Sequence, residues 1–263
     1  MTIQLGLFSL VIHLILWKKG FFFLSSEKSS ENRLTFLEVT LSFLIYFALF
    51  YALLFTLFQS LSSLCNPKLL LSLLQLLMAA LAIPLWLCFF SKKAKSIFKW
   101  GSSSFLTDIA LALVVYLISL PIIALVNEGA EQINLYFFGD KGPDQGAVLY
   151  LKSVKEHPVM FSLTLISIVI IAPLVEEVLF RGLLQRYIKQ CLGGQAALLL
   201  SSLFFALMHF QLAQGIGNIP LLISLFVFAL YLGFIYEKQK SLVASITLHI
   251  VFNLVSVVRI VGV

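Results

Sequence analysis

Residues 170–185 read IIAPLVEEVLFRGLLQ. The stretch is apolar enough to sit in lipid, yet it carries Glu176, Glu177 and Arg181 at its centre. An ionisable group at the bilayer centre costs at least about 2.5–3.5 kcal/mol on insertion scales. Groups kept there despite that cost mark a functional site by default. This one segment therefore bears on both the fold and the chemistry.

Working outward, similar apolar runs recur along the whole chain, near 3–17, 34–59, 69–90, 105–126, 159–185, 195–212, 219–236 and 241–261. A spanning helix needs about 20 apolar residues at a rise of about 1.5 Å each. The first run is short and ends at Lys18, Lys19 and Gly20. It has no basic segment before it and reads as a retained helix rather than a signal peptide. Breaks fall at Asn66-Pro67, Gly101, His157-Pro158, Gly193-Gly194 and Asn218 to Pro220. Of the 263 residues, 60% are hydrophobic and 11% charged, against about 45–50% and about 25% in soluble domains. A water-facing surface is excluded, because lipid alone solvates so many apolar side chains. The expected fold is an all-α integral membrane bundle of about eight transmembrane helices around a polar cavity.

The net charge of +6 is a matter of topology. Lys18, Lys19, Lys28 and Arg33 follow the first run, and Lys92, Lys93, Lys95 and Lys99 follow the third. Arg186 and Lys189 follow the fifth, and Lys238 and Lys240 the seventh. Basic residues gather in cytoplasmic loops, so these connections lie inside and both termini outside. Nucleic acid is not an expected partner; the bilayer is. The compact design suggests a multi-pass protein of a bacterial inner membrane. Cys65, Cys88 and Cys191 are too scattered for a disulfide framework or a cysteine zinc site. Residues 1–100 are read as N-terminal transmembrane helices of unassigned role, and 101–263 as the transmembrane core that holds the polar cluster. Residues 127–158 form the one long polar excursion, expected outside as a cap or a connector.

Two more runs carry polar groups at depth. The sixth ends in LFFALMHF with His209, and the eighth contains SITLHIVFN with His249 and Asn253. Glu176 lies thirteen residues from Lys189, and Asn253 thirteen from Lys240, each roughly 20 Å along a helix. His209 lies fifteen from Gly194, roughly 22 Å, and His249 nine from Lys240, roughly 14 Å. Three helices thus bring polar groups to similar depth, as one shared site requires. Glu177 and Arg181 share a face at i and i+4 and can pair; His249 and Asn253 are also i and i+4, so both can point into one cavity. Glu176 then faces the cavity as the expected base while its neighbour is neutralised. Pro173 is expected to leave unpaired carbonyls nearby. His13 reads as a packed or interfacial residue. Glu38 and Asp108, near helix ends where water reaches, are assigned no chemistry.

EEVLFR at 176–181, FALMH at 205–209 and HIVFN at 249–253 fit E-E-x-x-x-R, F-x-x-x-H and H-x-x-x-N, in that order. Over roughly residues 100–260 the chain resembles the CAAX prenyl protease and bacteriocin-processing family, also called Abi or type II CAAX peptidases. The resemblance implies an intramembrane endopeptidase in which Glu176 activates water with His209 as its partner. His249 and Asn253 would stabilise the oxyanion, and Glu177 and Arg181 would support them. Phe205, one turn before His209, would orient it by packing.

A glutamate mechanism without a metal cofactor is the expected one. If zinc were bound instead, Glu176, His209 and His249 would be its ligands. The implied substrate is a membrane-associated protein or peptide, with a lipidated C-terminus as the family's namesake. Two rivals stand beside this reading. A proton-coupled transporter would use the carboxylates and His249 as a relay, but no paired broken-helix repeats are evident. A non-catalytic scaffold or immunity factor would keep its effect after Glu176→Gln.

Overall fold

The computed structural model describes residues 2–20, 22–24, 33–61, scattered positions between 69 and 89, 105–139 and 146–262. We number the helices α1 (Thr2–Lys18), α2 (Phe36–Leu61), α3 (Phe105–Phe138) and α4 (Gly146–Val154). They continue with α5 (Pro158–Leu192), α6 (Gly194–Leu207), α7 (Asn218–Gln239) and α8 (Leu242–Val261). The span expected near 69–90 lies largely outside the described residues. Among the described residues, α3, α5, α7 with its leading turn, and α8 are long and apolar enough to cross a membrane. The protein is an all-α membrane protein.

Local chemistry sets the boundaries. Thr35 and Glu38 close the start of α2 reciprocally. The Thr35 amide and hydroxyl donate to Glu38 Oε2 at 2.7 and 3.0 Å, and the Glu38 amide donates to Thr35 Oγ1 at 3.2 Å. Pro158 opens α5, where its missing N–H costs nothing. Gly193, at φ 87°, lets the chain turn from α5 into α6. The Ser241 hydroxyl caps α8 by accepting from the Val243 amide at 3.2 Å.

Three expectations need correction. The sixth run, expected over 195–212, is helical only to Leu207. At 14 residues, α6 spans about 21 Å, short of the roughly 30 Å hydrocarbon core. The chain then unwinds, and Asn218 holds the loop. Its Oδ1 accepts from the Gln211 amide at 2.9 Å, and its Nδ2 donates to the carbonyls of Gln211 and Gly215, both at 2.8 Å. Second, the excursion at 127–158 is largely helical, because α3 runs on to Phe138 and α4 follows. Leu151 of α4 packs with Val169 of α5 and Val257 of α8, so α4 walls the bundle. Third, Asp108 is wholly buried rather than reached by water.

α5 departs from α-helical geometry twice, with π-helical segments at Ser167–Ile171 and Val178–Gln185. Such insertions are rare and concentrate at functional sites. Glu177, Arg181 and Gln185 recur every four residues and are wholly buried. Arg181 and Gln185 face Ala229, Gly233 and Glu237 of α7, which share that spacing. Arg181 Nη2 donates to the Ala229 carbonyl at 3.1 Å, and Gln185 Nε2 to the Gly233 carbonyl at 3.0 Å. Lys189 pairs with Glu237 at the same end. The two helices therefore run parallel along a polar ladder. Leu34, Val39, Ala82 and Trp86, from the N-terminal part of the chain, pack in one cluster with Val175, Leu179 and Phe205. His13 of α1 is fixed by Tyr231 of α7, whose hydroxyl lies 2.7 Å from Nε2.

The ladder needs a close approach at Gly233. A Cβ there would sit 2.6 Å from Gln185 Oε1 and 2.7 Å from Leu198 Cδ1. Gly233→Leu is expected to destabilise the detergent-solubilised protein by about 1–3 kcal/mol through overpacking, read as a lower thermal midpoint. Gly129→Ala on α3 has open space around it and should leave the midpoint unchanged or raise it, by up to about 1 kcal/mol. Equal midpoints for the two variants would refute the close-packing account.

Candidate active site

Glu176 and Glu177 leave α5 in different directions because they are adjacent on a helix. Glu177 turns inward and is wholly buried, whereas the Glu176 side chain keeps 23% exposure and lines a cavity of about 460 Å³. His209, His249 and Asn253 line the same cavity, as does Phe205. Glu177 and Arg181 are placed behind it.

The Glu177 carboxylate is shared. Its Oε1 accepts from Arg181 Nη1 at 3.2 Å and from His249 Nδ1 at 2.9 Å. Reading by spacing found the first bond and missed the second, since nothing local links residues 177 and 249. The consequence for His249 is orientation. With Nδ1 committed to a carboxylate, the proton on that nitrogen is fixed, and Nε2 comes within 3.8 Å of Glu176 Oε2. Phe228 and Phe205 press their edges on the imidazole at centroid distances of 5.3 and 5.8 Å. The buried Arg181 is held three ways, by Glu177, by the Ala229 carbonyl and by the Phe205 ring 4.8 Å from Cζ.

His209 lies just past the end of α6, in the turn where its own amide bonds the Ala206 carbonyl at 3.0 Å. Its Nδ1 is 2.8 Å from the Phe205 carbonyl. A carbonyl only accepts, so Nδ1 carries the hydrogen and Nε2 is left as the free nitrogen. The rings of Phe205 and His209 lie 4.8 Å apart. Phe205 thus touches Arg181, His209 and His249 together. No hydrogen bond joins Glu176 to His209 among the described residues.

Asn253 is anchored through the backbone of α5. In the first π segment the Ala172 amide reaches back five residues to Ser167. The next such bond would run from residue 173 to Ile168, but Pro173 has no N–H. Asn253 Nδ2 fills the vacancy, donating to the Ile168 carbonyl at 2.9 Å. Asn253 therefore ties α8 to α5 as well as facing the cavity.

Other residues reach this space without any motif to announce them. Tyr116, Asn127 and Glu128 of α3, Val148 and Leu151 of α4, and Arg259 of α8 all contribute to the lining. Tyr46 of α2 comes within electrostatic reach of Glu176. As for a metal, no three His, Cys, Asp or Glu side chains among the described residues converge as a ligand group. The zinc set Glu176, His209 and His249 is therefore not assembled in this geometry.

The shared carboxylate makes a stability prediction. Arg181→Met would leave Glu177 buried with a single partner, at an expected cost of about 3–5 kcal/mol. Combining it with Glu177→Gln should recover part of that loss, because the stranded charge is gone. Thermal unfolding in detergent of the two single variants and the double variant measures this. Additive losses would show that the two side chains do not interact.

Residues 158–255 match the family model described as Type II CAAX prenyl endopeptidase Rce1-like. The match begins at the first residue of α5 and takes in all three motifs. No curated protein and no solved structure matches the chain. From the start of α5 to within α8, this membrane protein carries a domain of the Rce1-like type II CAAX prenyl endopeptidase family, a family of peptidases.

Proposed function

We propose that the protein is an intramembrane endopeptidase that hydrolyses a peptide bond in a membrane-associated protein or peptide, with Glu176 as general base. The observation that carries this reading is the division of labour between two adjacent carboxylates. Glu177 is buried and shared by Arg181 and His249, while Glu176 stays open to a cavity lined by both histidines and Asn253. Two carboxyls in contrasting environments take contrasting roles.

In the proposed reaction Glu176, with His209 Nε2 as a second acceptor, takes a proton from a cavity water. The water oxygen attacks the scissile carbonyl carbon. The carbonyl oxygen becomes an oxyanion that needs donors in place beforehand. His249 bonds Glu177 through Nδ1, and a proton on its Nε2 would be offered to the oxyanion. Asn253 has a second amide hydrogen beyond the one given to Ile168. The tetrahedral intermediate then collapses, the C–N bond breaks, and Glu176 returns its proton to the leaving amine. No step in this scheme uses a metal.

The test is cleavage of membrane-anchored peptides by purified protein in detergent, with and without a strong chelator. Glu176→Gln is expected to lose at least about 10²–10⁴-fold in rate, the range for a general base, with an unchanged thermal midpoint. Wild-type activity should survive the chelator. Activity abolished by the chelator and restored by Zn²⁺ would replace this mechanism with a zinc one. Full activity in Glu176→Gln would remove Glu176 from the chemistry.

A further inference from the structure

The cavity continues past the residues given a chemical role, along α3 and α8 to Glu128 and Arg259. Two groups in this extension have no structural employment. Tyr116 is 7% exposed, and its hydroxyl is buried without a hydrogen-bond partner. Leaving such a group unsatisfied costs about 1–3 kcal/mol, so it waits for a ligand. Arg259 lies within electrostatic reach of Tyr116. It is exposed and makes no ion pair among the described residues. By contrast, Asn127 is already committed, donating to Glu131 at 2.7 Å and accepting from Ser224 at 3.0 Å. Glu128 is an acceptor and cannot bind an anion.

We propose that Arg259 and Tyr116 form a carboxylate subsite that takes the free C-terminal α-carboxylate of the peptide substrate. A guanidinium and a phenolic hydroxyl are both donors, and a carboxylate accepts from both at once. Leu120, Ile123, Phe252 and Ile260 line the same cavity and suit apolar side chains between carboxylate and scissile bond. The spacing also defines a length. Arg259 lies six residues beyond Asn253 and ten beyond His249 on α8, roughly 9–15 Å along the axis. An extended peptide covers that distance in about three or four residues. The subsite therefore selects a chain end over an internal segment and sets how far from it the cut falls. Tyr116 and Arg259 both lie outside residues 158–255, so the family match does not assign them.

This inference rests on the endopeptidase reading, and the experiment separates the two. Acyl-anchored synthetic peptides are prepared in pairs, with either a free C-terminal acid or an amide. Cleavage is measured with the wild type, Arg259→Gln, Arg259→Lys and Tyr116→Phe. Binding of the same pairs is measured with full-length Glu176→Gln protein. The wild type is expected to prefer the acid by roughly 10- to 100-fold in kcat/KM, the worth of a hydrogen bond to a charged group. The Glu176→Gln protein should show the same preference in Kd. Arg259→Gln should erase it by weakening the acid alone, Arg259→Lys should restore part, and Tyr116→Phe should reduce it.

Equal handling of acid and amide by the wild type, or binding of neither, overturns the subsite. So does an Arg259→Gln variant that weakens both forms alike, the pattern of a helix-end charge or a lipid phosphate contact. Acid-selective binding without any cleavage would leave the subsite standing and sink the peptidase reading.

Discussion

The Glu177 carboxylate is the point on which the rest of the site turns. It is wholly buried, in a region where charge is poorly solvated, and persists because Arg181 and His249 both donate to it. Each partner is in turn fixed from elsewhere. Arg181 reaches the Ala229 carbonyl on α7 and lies over the Phe205 ring of α6, and His249 stands between Phe205 and Phe228. One carboxylate therefore sets the relative positions of α5, α6, α7 and α8. An apolar core of the same volume would hold the helices as well, but it would not fix the tautomer and direction of an imidazole.

The irregularity of α5 serves the same end. A regular α-helix satisfies its own carbonyls and leaves nothing for a neighbour to bind. The π segment before Pro173, with the proline's missing N–H, exposes the Ile168 carbonyl to Asn253. The short α6 works by a related principle, ending at depth so that His209 projects from a turn rather than a helix face. The non-helical backbone that follows is largely exposed, as at Phe210, Leu212 and Ile216, and the side chain of Asn218 satisfies groups of Gln211 and Gly215 within it.

Polar and ionisable groups in lipid need a space that lipid cannot fill. Here α3 and α4 close the bundle over the cavity, with Leu151 packed against α5 and α8. Aromatic pairs such as the buried Phe228 and the half-buried Phe252, stacked at 4.0 Å, give the walls an apolar lining. Carboxylate and imidazole thus face a water-accessible pocket of limited size, where their electrostatic interactions are stronger than in bulk water.

The amino-acid sequence by itself determined the class of the protein and the identity of its unusual residues. Composition required a membrane, run lengths located the long apolar helices at 105–138, 158–192, 218–239 and 242–261, and the cost of burying charge singled out residues 176, 177, 181, 209, 249 and 253. Spacing within one helix predicted the bond between Glu177 and Arg181, because neighbours at i and i+4 depend on local geometry alone. The second bond, from Glu177 to His249, crosses seventy-two positions, and only packing decides it. Gln185 and Glu237 were invisible for the same reason, as each is an ordinary polar residue until Gly233 lets the helices meet. The true end of α6 at Leu207 was hidden because apolarity continues to Phe210 while helical hydrogen bonding does not. Periodicity reports which residues lipid accepts, whereas tertiary contacts decide where a helix stops and which polar groups find one another.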